Sequence, residues 1–136
     1  VDALLCGRPM RFRVAFQVRR PIVHPVFRLD VHDHLGRHVL ALNTYETASA
    51  IDEVRDAGCC LCTIPRLPLV PGEYYVSLSA TEAGKTLDRV DMAQTFSVEA
   101  GDFFGTGRLP GRNSAKTLID HSWQYVPDHA EPTPRT

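Results

Sequence analysis

Several groups of residues in this 136-residue chain carry side chains capable of chemistry. His32-Asp33-His34 with His38 has the ingredients of a metal cluster. On a strand His32 and His34 would share a face roughly 6–7 Å apart, with His38 returning opposite them. Histidines flanking an exposed hairpin are more often solvent contacts, so no metal is expected there. Cys60 and Cys62 could join a histidine, but a single C-x-C without a second pair is a poor zinc signature. Buried cysteines that act as small hydrophobes are the simpler expectation. Ser79-Ala80-Thr81-Glu82-Ala83-Gly84-Lys85-Thr86 nearly spells a phosphate loop, with Ser79 where the first glycine belongs. A strand is expected after it, so no helix N-terminus would aim N–H groups at a phosphate. Gly105-Thr106-Gly107 followed by Gly111 misses the dinucleotide spacing and suits a hinge loop better. Asp88 and Asp91 sit where turn and edge residues usually do, and no Ser-His-Asp or Cys-His order stands out. No catalytic residue and no cofactor are therefore expected, and the domain is not read as an enzyme.

Binding is the chemistry these residues suit better. Arg11, Arg13 and Gln17 alternate with apolar residues on one predicted strand, and Arg28, Asp30 and His32 do the same on the next. If the two strands pair, the six side chains make one polar, positively biased surface. Guanidinium groups take carboxylate or phosphate by paired hydrogen bonds, so a sugar capped by an acidic group would suit it. Tyr75 and Trp123 are the exposed-aromatic candidates, although Trp123 serves equally well in a dimer contact. A solvated sheet face with cross-strand charge pairs is the plain alternative.

The elements that must position these groups are strands. Met10, Phe12, Val14, Phe16 and Val18 alternate with polar neighbours, and Arg20-Pro21 ends the run. Phe27, Leu29 and Val31 set one face of a strand from Val26 to Asp33. His34-Leu35-Gly36-Arg37 turns it, and Val39 to Thr44 returns as the second arm of a hairpin. Residues 45–57 are polar and form a loop or a single helical turn. Cys60, Cys62 and Ile64 face inward on the next strand, which must stop at Pro65 because proline cannot donate to a ladder. Three prolines, at 65, 68 and 71, then brace a corner that ends in the turn Pro71-Gly72. Tyr74, Val76, Leu78 and Ala80 open the following strand, a hairpin turn spans Thr81 to Lys85, and Thr86 to Val98 makes one bent or two short strands. The lead-in over residues 1–9 completes an edge strand, and a last short strand runs from about Lys116 to Trp123. Short alternating strands at turn spacing, with no convincing amphipathic helix, predict a two-sheet β-sandwich.

A net charge of −1 gives no basic field, which argues against nucleic acid as a partner. No apolar run approaches the roughly 18 residues of a membrane-spanning helix, and no signal peptide is evident. The absence of an initial methionine suggests a piece of a longer polypeptide. Three of the four cysteines crowd one strand, where they are poorly placed to bridge, so reduced thiols and a cytoplasmic setting are expected.

Four features together resemble one family. They are the strand Phe12 to Val18 before a Pro link, the hairpin around Val31-His32-Asp33-His34-Leu35-Gly36, the corner Leu67-Pro68-Leu69-Val70-Pro71-Gly72-Glu73-Tyr74-Tyr75, and Phe96-Ser97-Val98 before a Gly-rich loop and the late Trp123. They are similar to the C-terminal domain of Wzt-type ATPase subunits from ABC exporters of O-antigen polysaccharide, over about residues 7–125. The resemblance implies an all-β fold, an immunoglobulin-like antiparallel sandwich spanning 1–125, and the Pro-rich polar composition of 126–136 predicts a flexible tail. It implies a non-catalytic carbohydrate-binding module that recognises the non-reducing, capped or modified end of the glycan and licenses its export. It further implies a homodimer that exchanges the C-terminal strand Ala115 to Trp123. An ATPase domain would lie upstream in the same polypeptide, linking the module to a transmembrane exporter subunit at the inner face of the inner membrane. An immunoglobulin-like module that only dimerises or binds protein is the alternative, and a small hydrolase on a sandwich scaffold is a third.

Overall fold

The computed structural model describes residues 4–47, 50–111 and 115–125. Among these the chain is all β, with nine strands and no helix. In chain order they are β1 (Leu4–Leu5), β2 (Met10–Phe16), β3 (Ile22–Val23), β4 (Val26–Asp33), β5 (His38–Asn43), β6 (Glu53–Val54), β7 (Gly58–Ile64), β8 (Gly72–Glu82) and β9 (Lys85–Glu99). A five-stranded sheet runs β1-β9-β8-β4-β5, and β2 pairs with β7 in a second sheet. The two-residue strands β3 and β6 form a small third ladder, which the polar stretch 45–57 gave no periodic signal to reveal. All pairings are antiparallel except the lead-in β1, which lies parallel to β9 with Leu4 beside Val98.

The period-two patterns place the core between the two larger sheets. Leu29 and Val31 of β4, Tyr74 and Val76 of β8, and Phe96 and Val98 of β9 are buried on the inner face. Met10, Phe12, Val14, Cys62 and Ile64 pack on them from β2 and β7. Phe12 meets Phe96 edge-on at 6.0 Å, and Phe16 stacks on Phe27 at 5.3 Å. The proline-braced corner is more than a link. Leu67, Leu69 and Val70 have no accessible surface, and Tyr74 donates its hydroxyl back to the Val70 carbonyl at 2.6 Å. Leu67 closes the corner onto the lead-in, its N–H donating to Arg8 and its carbonyl accepting from Gly7.

Two hairpins carry the outer face of the large sheet. The β8–β9 turn has Ala83 and Gly84 at φ 51° and 79°, the mirror-image geometry that suits the twist of the flanking strands. Ser79 to Thr86 is therefore a hairpin tip, with strands on both sides. Beyond it β9 is one long strand with a bulge opposite Ser77, where Met92 takes φ 50° and donates its N–H to the Ser77 hydroxyl. In the β4–β5 hairpin, the buried Asp33 organises the turn: its carboxylate accepts from the N–H groups of Leu35 and Arg37 and from the Arg37 guanidinium at 2.8 Å.

Burial pushes the Asp33 carboxyl up, but these donors outweigh it and hold its pKa below the ordinary value. A depressed carboxylate stabilises the fold above its unfolded pKa and loses that contribution as pH falls through the folded one. Asp33→Ala should lower the melting temperature at neutral pH by roughly 5–10 °C. It should also flatten the acid limb below about pH 4, and melts from pH 7 to pH 2 on both proteins would show either result absent.

The C-terminal segment departs from expectation. Residues 115–125 make no strand, only an isolated bridge between Thr117 and Leu69, flanked by Val70 N–H to Lys116 carbonyl and Leu118 N–H to Pro68 carbonyl. The physical cause lies in the partner: Pro65, Pro68 and Pro71 have no N–H to extend a ladder along the corner. The tail over 126–136 lies outside the described residues.

Candidate functional site on the outer face of the large sheet

Sequence patterning puts Arg28, Asp30 and His32 on the outward side of β4, and neighbouring strands add to them. His32 lies opposite Tyr75 of β8 on one side and His38 of β5 on the other. Cross-strand neighbours on one face stand close enough for rings to stack. Tyr75 and His32 do so at 5.1 Å with planes 10° apart, and His32 and His38 at 4.8 Å with planes 24° apart. The result is a continuous row, Tyr75–His32–His38, across three strands. At its centre His32 Nδ1 is buried and has no hydrogen-bond partner among the described residues, an uncommon state for a buried polar atom.

Charged groups stand beside this row. Two residues apart on β4, Arg28 and Asp30 project together, and Arg28 Nε donates to both carboxylate oxygens at 3.1 and 2.9 Å while Nη2 donates to Oδ1 at 2.9 Å. His38 Nε2 lies 2.8 Å from the same Oδ1, and since a carboxylate only accepts, that nitrogen carries the hydrogen. The Arg28 hydrogen bonds, partly opposed by burial and aided by His38, hold the Asp30 carboxyl below its ordinary pKa. Arg28 is raised in turn, chiefly by its hydrogen bond to Asp30. Arg28, Asp30, His38, His32 and Tyr75 thus form one partly exposed cluster with donors, an acceptor carboxylate and ring edges on a rigid sheet.

Other expected site residues lie elsewhere. Arg11 and Arg13 do project outward from β2, but β2 pairs with β7 and not with β4, so the joint six-residue surface does not form. The inward residues of β2 and β4 meet across the core, so their outward arginines sit on opposite faces of the sandwich. Arg13 and Gln17 instead flank an open groove with Ala57, Gly58 and Cys59. Trp123 is 88% exposed and meets His121 edge-on at 6.1 Å. His121 in turn meets Phe104, which meets Phe103, and Arg66 covers the Phe103 ring at 4.1 Å while pairing with Asp120. Trp123 therefore belongs to a separate aromatic string along the C-terminal segment.

His38 is the member of the cluster that side-chain chemistry alone undervalues, since a lone histidine after a turn looks solvated. Its signal was the hairpin itself, whose short turn returns it opposite His32. His34 stays in the turn, exposed and away from the row. Among the described residues no three of His, Cys, Asp and Glu are arranged to hold a metal ion. All four cysteines are free; burial pushes Cys6, Cys60 and Cys62 up and keeps them as thiols, while Cys59 is exposed.

Comparison with known proteins agrees with this architecture. No curated protein matches the sequence. A solved structure described as "Crystal structure of the C-terminal domain of wzt" has the same fold. It superposes with a TM-score of 0.69 at 11% identity, over 91% of this chain and 74% of that one. The family model of the Wzt C-terminal domain matches residues 1–109. Fold and sequence together place the chain in one family: it belongs to the Wzt C-terminal domains.

Proposed function

We propose that this domain is a non-catalytic carbohydrate-binding module of an ABC exporter of O-antigen polysaccharide, and that it reads the non-reducing terminal end of the glycan before export. Membership of the Wzt C-terminal domain family supports the carbohydrate-binding role and the transporter context. The observation that carries the site is the outer-face cluster, in which Arg28 and Asp30 flank the stacked row Tyr75–His32–His38. Such a cluster offers oriented donors and acceptors to hydroxyl groups, held by strands that need not rearrange on binding.

In the intact protein the module works on the cytoplasmic side of the inner membrane, joined to an upstream ATPase domain that couples glycan recognition to a transmembrane subunit. It acts as a homodimer through its C-terminal segment. Ile119, Trp123 and Tyr125 support that contact, since each is more than three-quarters exposed on an extended stretch. Apolar side chains of this size ordinarily find a partner.

Titration with O-antigen from the cell that makes the protein, intact and trimmed at its non-reducing end, tests recognition of the terminus. Saturable binding to the intact polymer alone is expected, and equal binding to both would sink the terminal assignment. Arg28→Ala should weaken binding by roughly tenfold or more, the usual consequence of losing hydrogen bonds from a charged donor. Arg13→Ala, on the other sheet, should leave affinity within about twofold, inside the range of surface substitutions away from a site. The reverse pattern would move the site to β2.

A further inference from the structure

We infer that the glycan end taken by the outer-face cluster is an uncharged, hydroxyl-bearing sugar, and that Asp30 is the residue that sets this preference. The inference rests on the carbohydrate-binding reading of the cluster and names the chemistry of its ligand. Arginine on a sheet face suggests an acidic ligand only while its charge is available. Here Arg28 is closed by three hydrogen bonds onto the carboxylate two residues along its own strand. The pair is electrically balanced at the centre of the site. An incoming phosphate or carboxylate would have to displace Asp30 from Arg28 or sit beside its negative charge, and like charges in contact disfavour binding.

The surroundings keep the same balance. Arg37, at the end of the hairpin, is closed on Asp33 at 2.8 Å, and Arg89 of β9 on Asp91 at 2.9 Å. Glu73 adds a carboxylate on the β8 side of Tyr75, held by the Ser97 hydroxyl at 2.7 Å. Lys116 lines a groove with Arg37 and His38 at the far end of the row, off the sheet that carries Arg28. Among the described residues, then, Arg28, Arg37 and Arg89 each have a carboxylate within hydrogen-bonding distance.

What the cluster does offer suits a neutral sugar. Asp30 Oδ1 accepts from Arg28 and His38, whereas Oδ2 accepts from Arg28 Nε alone, so a lone pair remains for a sugar hydroxyl on a side chain that is 22% exposed. The guanidinium keeps N–H groups on Nη1 that are not turned to Asp30, so adjacent hydroxyls can donate to the carboxylate and accept from the guanidinium. Orientation of the carboxylate by Arg28 and His38 fixes which hydroxyl it meets. Asp30 is thus both an acceptor for ligand and the group that masks the arginine's charge.

The test uses O-antigen extracted from the cell that makes the protein, before and after its anionic groups are removed by carboxyl reduction and phosphatase treatment. With the wild-type domain, affinity should change by less than about twofold on that treatment and between 50 and 500 mM NaCl, where exposed charge pairs are screened out. Asp30→Asn keeps the shape but releases the Arg28 charge. It should lose roughly tenfold or more for the neutral polymer and bind the untreated, anion-bearing polymer with a new salt dependence. Loss of wild-type binding once the anions are removed would overturn the inference and leave glycan recognition standing, as would unchanged affinity in Asp30→Asn. Failure of the wild-type domain to bind either preparation would overturn the carbohydrate-binding reading itself, and this inference with it.

Discussion

Gly101→Ala is expected to detach the lead-in strand from the sheet and to expose Cys6. A Cβ at position 101 would stand 2.0 Å from the Cys6 carbonyl oxygen and about 3 Å from two further backbone atoms of the same residue. No rotamer can relieve that contact, because both sides are main chain. Either Gly101 or the turn after β1 must move, and the Cys6 N–H donates to the Glu99 carbonyl at 3.0 Å as part of the same junction. Overpacked interiors lose typically 1–3 kcal/mol, and a backbone collision with no flexible end belongs at the top of that range, about 3 kcal/mol. Cys6 is 1% exposed in the folded protein and its thiol is held protonated by burial, so it should resist alkylation while Cys59 reacts at once. Peptide mapping after brief alkylation should find Cys6 modified in the variant only, together with a lowered urea midpoint. Protection of Cys6 equal to wild type would show that the junction absorbs the extra carbon.

Tyr74→Ala should be the most damaging single change in the core, with Tyr74→Phe separating its two roles. The ring is buried, stacks on Phe96 at 5.7 Å and neighbours the carboxylate-bearing end of β4 through the Asp33 pairing. Removing a buried aromatic ring costs about 3–5 kcal/mol, a large share of the 5–15 kcal/mol that holds a domain of this size. The hydroxyl contributes separately: with Phe at 74 the Val70 carbonyl, inside the corner, loses its donor at 2.6 Å. A buried acceptor left unmet is worth about 1–3 kcal/mol. Urea denaturation of both variants should therefore give two distinct decrements. A Tyr74→Phe protein as stable as wild type would mean that the corner is held by packing alone.

Strand positions were legible from residue types because alternation is a local property. Met10 to Phe16, Val26 to Asp33 and Gly72 to Glu82 each declare one apolar face, and the structure buries those faces. Pairing was not legible, since alternation says which side of a strand is inward and nothing about its neighbour. Nothing in Arg11 and Arg13 distinguishes β7 from β4 as a partner, so the arginines were drawn to one surface that the topology splits in two. Two-residue strands such as Ile22–Val23 and Glu53–Val54 are too short to show a period. The segment around Lys116 to Trp123 shows no period of two, and a ladder needs donors on both sides where the corner supplies Pro65, Pro68 and Pro71.

For the site the balance differs. Arg28, Asp30, His32 and Tyr75 were all identifiable from strand phase, and the structure gathers them into one cluster. Charge pairing on this face was foreseen as the plain alternative, but across strands. The structure closes Arg28 on Asp30 two residues along the same strand instead.

The buried corner has a consequence for anyone who would re-engineer this module. Irregular connections are ordinarily where a protein tolerates grafts, tags and length variation. Here that habit would mislead, because Leu67, Leu69 and Val70 lie deeper than most strand residues and tie the lead-in, the Tyr74 strand and the C-terminal segment into one knot. New sequence belongs at the Ala83-Gly84 hairpin tip, where a side chain added at Gly84 would meet open space. In this domain the permissive turn is one without prolines, and the stretch least like a strand is its keystone.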